Sequence, residues 1–140
     1  MMEEAGYENL PHTADVAIRA WAPDLRGLIE QAARGMIEMM YEPLPEPGQF
    51  IQIIGEGDGA EDLLIDCLRE ILLLPELSGL IPVSVAVQNL GERRAVCLVG
   101  VVAQPHEGVQ IQQQIKAVTY HGLEIARTAR GLQVEVVFDV

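Results

Sequence analysis

The 140-residue sequence is poor in several residue types: two cysteines, six aromatics, and nine basic residues, of which Lys116 is the only lysine. Each scarcity excludes a class of protein. Cys67 and Cys97 lie 30 positions apart, each inside an apolar run, which suits buried reduced thiols and supplies neither a disulfide framework nor a thiolate zinc site. Nine basic against 21 acidic residues leave a net charge of -12. Such a chain repels phosphate backbones instead of releasing their counterions, so a direct grip on RNA or DNA is not expected. Six aromatics are also too few to build a platform for stacked single-stranded bases. The longest uncharged stretch, 77–91, is interrupted by Pro82, Ser84, Gln88 and Asn89 and falls short of the roughly 18 apolar residues of a spanning helix. Acidic Glu3 and Glu4 stand where a secretory signal needs basic residues, and the chain is read as cytoplasmic. No phosphate-binding glycine loop, Gly-x-Ser-x-Gly elbow, HExxH or Cys-x-x-Cys occurs.

What is present is core material. Hydrophobic residues make up 49% of the chain, enough for one compact domain spanning 1–140 and too little for two independent cores. Alternation over 16–21 predicts a strand, ended by Pro23-Asp24. Asp24 is then placed to cap a helix over 25–40, whose Leu25, Leu28, Ile29, Ala32, Ala33, Met36 and Met40 fall on one face. Three alternating prolines, Pro43, Pro45 and Pro47, stop that helix and form a surface loop. A strand over 49–55 leads through a Gly-rich turn into a second helix, with Leu64, Cys67, Leu68, Ile71 and Leu72 on one stripe and a stop at Pro75. The remainder reads as strands over 81–88, 95–103, 109–119, 123–126 and 132–140. The expected fold is α+β, with two helices packed on a mostly antiparallel sheet in a single domain.

Few residues stand out as chemistry. His12 and Asp15 sit in the block His12-Thr13-Ala14-Asp15 just before the first predicted strand, where either they converge on a site or Asp15 and Thr13 bond the local backbone as a turn. At the other end, Asp139 precedes Val140, the last residue of the sequence, so a side-chain carboxylate and an α-carboxylate lie one residue apart. Like charges that close invite a cation or a basic partner; the plainer reading is a solvated tail. Lys116 is either poised near Asp15 or Asp139 or extends into solvent. The acidic cluster Glu56, Asp58, Glu61, Asp62 and Asp66 lacks the EF-hand spacing and is assigned to the start of the second helix.

Four blocks, Leu10-Pro11-His12-Thr13-Ala14-Asp15, Asp62-Leu63-Leu64-Ile65-Asp66, the run from Ile115 to Glu124, and Phe138-Asp139-Val140, resemble in order and spacing the archease family. That resemblance implies a small α+β protein without turnover of its own. It implies activation of the RtcB-type RNA ligase in tRNA splicing and RNA repair, by promoting ligase guanylylation and multiple turnover. It places a divalent-ion site, usually calcium with Mg²⁺ or Mn²⁺ as alternatives, on Asp15, Asp139 and the carboxylate of Val140. Lys116 matches the family's functional lysine, and His12 belongs to the same site block. Gln114 stands where the family commonly has Glu, and the second helix reads Asp66-Cys67-Leu68-Arg69-Glu70 where Trp and a small polar residue are common. Two other readings use the same carboxylates: a small metal-dependent hydrolase, or an adaptor or chaperone whose metal is structural.

Overall fold

The computed structural model describes residues 4–11 and 15–140. In chain order the elements are β1 (Gly6–Leu10), β2 (Val16–Ala22), α1 (Leu25–Met40), β3 (Tyr41–Glu42), β4 (Gln49–Glu56), α2 (Ala60–Leu72), α3 (Leu74–Ser78), β5 (Leu80–Leu90), β6 (Arg94–Ala103), β7 (Gln110–Ile111), β8 (Ala117–Val118), β9 (Ala126–Thr128) and β10 (Gly131–Asp139). All strand pairs among the described residues are antiparallel. The larger sheet runs β1-β2-β10-β8, with β9 also on β10; β4-β6-β5 form a second sheet, and β3-β7 a short ribbon. The α+β class is as expected, although the strands divide among three sheets and a third, short helix follows the second.

Local chemistry explains the elements. The Asp24 carboxylate accepts the Gly27 N–H at 2.9 Å, which satisfies an otherwise orphan donor and starts α1 where its apolar stripe begins. Leu28, Ile29, Ala32, Ala33 and Met36 then lie fully buried against the larger sheet, whose inward row is Ile18, Ala20, Ala22, Val134, Val136 and Phe138. On the second sheet, Ile53, Cys97 and Val99 pack with α2 through Leu64, Cys67, Leu68 and Ile71, and one continuous cluster joins both halves. Cys67 and Cys97 are buried free thiols, as read from the sequence. A hydrogen bond with Cys97, reinforced by burial, pushes the Cys67 thiol far above its ordinary range and keeps it protonated.

Four boundaries differ from the sequence reading. A strand forms over Gly6–Leu10, ahead of the first one expected, because Gly6-Tyr7-Glu8-Asn9-Leu10 lacks a clean alternation and gains its stability by pairing with β2. Residues 109–119 are not one strand: only Gln110–Ile111 and Ala117–Val118 pair, and the polar run between them finds no partner strand. The strand expected over 123–126 forms instead at Ala126–Thr128, opposite the start of β10. Pro75 does not end α2, which stops at Leu72; it occupies the first turn of α3, where its missing N–H costs nothing.

Candidate functional site

β2 and β10 are central neighbours, and their register brings the two ends of the sequence together. Val16 pairs with Phe138, so the next residues outward along each strand are Asp15 and Asp139. Side chains alternate between the faces of a strand. Ile18 and Phe138 point into the core, so Asp15 and Asp139 continue the opposite row, with Ala17, Arg19, Val137 and Glu135. Asp15 is half-buried and Asp139 exposed. Two carboxylates from distant parts of the chain thus share one end and one face of the sheet. Val140, the neighbouring residue, is 38% exposed.

The residues flanking β8 fasten this end. The Lys116 N–H donates to the Asp139 carbonyl at 2.8 Å, and Thr119 donates to the Val137 carbonyl through both its N–H and its hydroxyl, each at 3.0 Å. The backbone of Lys116 therefore abuts Asp139, but its side chain takes the other direction. It is exposed and lines a groove of about 470 Å³ with Met40, Tyr41, Leu72, Glu76 and Ile115. Among the described residues its ammonium forms no ion pair. His12 lies outside the described residues.

Beside the carboxylates, a recess of about 260 Å³ is lined by Leu10, Pro11, Ala17, His121, Gly122, Glu135 and Val137. One wall comes from the turn after Thr119, and α2 holds that turn down. Tyr120 donates to Asp62 at 2.8 Å, the Arg69 guanidinium sits 5.1 Å from the Tyr120 ring centre and donates to the Val118 carbonyl at 3.2 Å, and the Ile125 N–H donates to Glu61 at 3.0 Å. Burial and the bond to Asp62 raise the Tyr120 phenol above its ordinary range. Sequence reasoning missed these tethering residues. Their signal lies in two separate sequence blocks, around Asp62 and around Tyr120, whose contact spans 58 positions.

Among the described residues no three His, Cys, Asp or Glu side chains form a metal-binding group. The local donors are the two aspartate carboxylates and the backbone carbonyl oxygens beside them. Hard oxygen donors of this kind suit Ca²⁺, Mg²⁺ or Mn²⁺ and not zinc.

Over residues 7–140 the chain matches the archease protein family (MTH1598/TM1083). Protein archease of Methanopyrus kandleri is 29% identical over 138 residues, covering 96% of this chain and 99% of that protein. Protein archease of Methanosarcina acetivorans is 30% identical over 139 residues, covering 96% and 95%. Two solved structures share the fold. The solution structure of Methanobacterium thermoautotrophicum protein 1598 superposes with a TM-score of 0.71 at 24% identity, covering 96% of this chain and 99% of that one. The crystal structure of an archease from Thermotoga maritima, described as a possible chaperone, gives 0.65 at 24% identity, covering 95% and 96%.

Proposed function

The chain belongs to the archease family, and from that premise we propose that it is a protein cofactor of an RtcB-type RNA ligase, promoting guanylylation and multiple turnover through a divalent ion held by Asp15, Asp139 and the Val140 carboxylate. The observation that carries this reading is the β2–β10 register, which sets Asp15 and Asp139 at one end of the sheet and on the face opposite to Ile18 and Phe138. The donor set fits a hard cation: two side-chain carboxylates leave most of the roughly six to eight oxygen positions of calcium to the terminus, backbone carbonyls, water or the ligase itself. When bound, such an ion supplies positive charge that attracts and orients phosphate oxygens.

This chain's own residues do the presenting. The Lys116 N–H and Thr119 fix the backbone before Asp139, and the Tyr120-Asp62-Arg69 contacts fix the adjacent turn, so the carboxylates stand on a rigid sheet end. Lys116 offers the groove beneath α1 and α2 a cation for a carboxylate or phosphate of the partner. A net charge of -12 suits a protein that works on an RNA-holding partner without competing for the RNA.

Stimulation of a cognate ligase under multiple turnover, measured with GTP and Mn²⁺, tests the reading. The native chain stimulates and Asp15→Ala does not. If Asp15→Ala stimulates as well as the native protein, the carboxylate mechanism is wrong. If metal raises the melting temperature yet neither protein stimulates, the adaptor or chaperone role with a structural ion replaces it.

A further inference from the structure

The second sheet has two outer strands, one protected along its length against pairing with another chain and the other capped only at its last residue, Glu56. On β5, Pro82 lacks an N–H, the register slips between Pro82 and Ser84 and again between Val87 and Asn89, and two α1 side chains occupy the open edge. Glu30 accepts the Val87 N–H at 2.8 Å, and Arg26 donates to the Val87 carbonyl. Proline, bulges and side-chain caps are the devices by which proteins blunt an exposed edge. β4 has none of them along Gln49 to Gly55: its eight residues pair with β6 without a slip, and no proline or charge occurs before Glu56.

The direction of the β4 backbone groups follows from two independent contacts. The Val87 N–H and C=O point away from β6, so Cys97 opposite it bonds toward β4 and pairs there with Ile53. At the far end, the Glu56 N–H is taken by the Asp66 carboxylate at 2.7 Å, so Glu56 also faces away from β6. Alternation then sends the N–H and C=O groups of Phe50, Gln52 and Ile54 to the free edge. Phe50 and Ile54 also carry exposed side chains, 57% and 39%.

We propose that this edge pairs with β4 of a second copy of the chain, antiparallel about a twofold axis at Gln52, joining two three-stranded sheets into one of six. The sequence of β4 is complementary to itself in that register. Gln52 meets Gln52 of the other copy, Phe50 meets Ile54, and Glu56 falls opposite Gly48, so no like charges oppose each other across the ladder. The contacts by which α2 approaches β4, Cys67 against Gly55 and Asp62 against Gly57, lie toward the C-terminal end of the strand. In the antiparallel arrangement the two α2 helices therefore stand at opposite ends of the joint. The carboxylates of Asp15 and Asp139 are on the other sheet and stay open.

Sedimentation equilibrium over a range of concentration and salt tests the proposal. The native chain passes from 15.3 kDa to twice that mass as concentration rises. The association strengthens with added salt, because each copy carries -12 elsewhere on its surface. Gln52→Pro removes one edge donor while leaving the β6 side of the ladder intact, and weakens association at least tenfold with an unchanged circular dichroism spectrum. Gln52→Cys forms an intermolecular disulfide under mild oxidation, since directly opposed residues of a hydrogen-bonded pair lie about 5.5 Å apart; Ser84→Cys on the protected β5 does not. A chain that stays at 15.3 kDa at millimolar concentration overturns the proposal, as does a dimer that Gln52→Pro leaves intact and Gln52→Cys fails to cross-link.

Discussion

At the scale of single residues, the neighbours of each group set its chemistry. Asp139 and Asp15 share a face of the sheet, so replacing one carboxylate by its amide isostere keeps the shape and removes a charge a cation needs. With an ion held there, millimolar Ca²⁺ is expected to raise the melting temperature of the native protein and Asp139→Asn to abolish that rise; an undiminished rise would place the ion elsewhere. Tyr7 gives an independent check on packing. Burial and a hydrogen bond with Glu38 raise its phenol to about 12 from an ordinary 10.0. The folded state therefore favours the protonated form, and the stability this contributes is fully present below pH 10, declining as pH rises toward 12. Ultraviolet titration of the native chain against Tyr7→Phe should show the missing phenol to be a late-titrating one; loss of a phenol that titrates near pH 10 would show that Tyr7 is not held as described.

At the scale of elements, one connection starts β10 at the end away from the site and another holds the site end in place. The turn into β10 depends on Gly131, whose φ of +93° lies in the left-handed region and whose added Cβ would meet the Ala22 carbonyl oxygen at 2.5 Å. Gly131→Ala thus combines backbone strain with a clash against backbone that cannot swing away, and should cost more than about 2 kcal/mol in denaturant unfolding. A cost near zero would mean the turn relaxes freely. Tyr120→Phe removes one exposed hydrogen bond to Asp62, so a loss of about 1 kcal/mol or less is expected. Its sharper readout is faster amide exchange at Ile125, whose N–H is held by Glu61 on the same helix; unchanged exchange would show that the turn does not depend on that tether.

These elements also show what the sequence could reveal. The α1 boundaries were legible because an Asp cap precedes a seven-residue apolar stripe and prolines follow, all local signals. The segment 109–119 was not, because alternation of Val109, Ile111, Ile115 and Ala117 mimics a strand that forms no ladder along 113–115. Asp15 and Asp139 could be named from their blocks, but their shared face depends on β2 and β10 being neighbours, a long-range fact. The direction of Lys116 was likewise hidden: Asp139 opposes Ala117, which leaves the Lys116 side chain on the opposite parity, toward the α2 groove.

At the scale of the whole molecule, charge and fold divide the labour between this chain and its proposed partner. With -12 on 140 residues, the protein is expected to give no retardation of tRNA-sized RNA at physiological salt; a salt-sensitive shift at micromolar concentration would contradict the reading that the ligase alone holds the nucleic acid. The most direct test of the central claim is multiple-turnover RNA joining by a competent RtcB-type ligase, with GTP and Mn²⁺, in the presence of the native chain or of Asp139→Ala. The account predicts many turnovers per ligase with the native chain and a return to the unstimulated level with Asp139→Ala. Equal stimulation by both, or by neither, would contradict it.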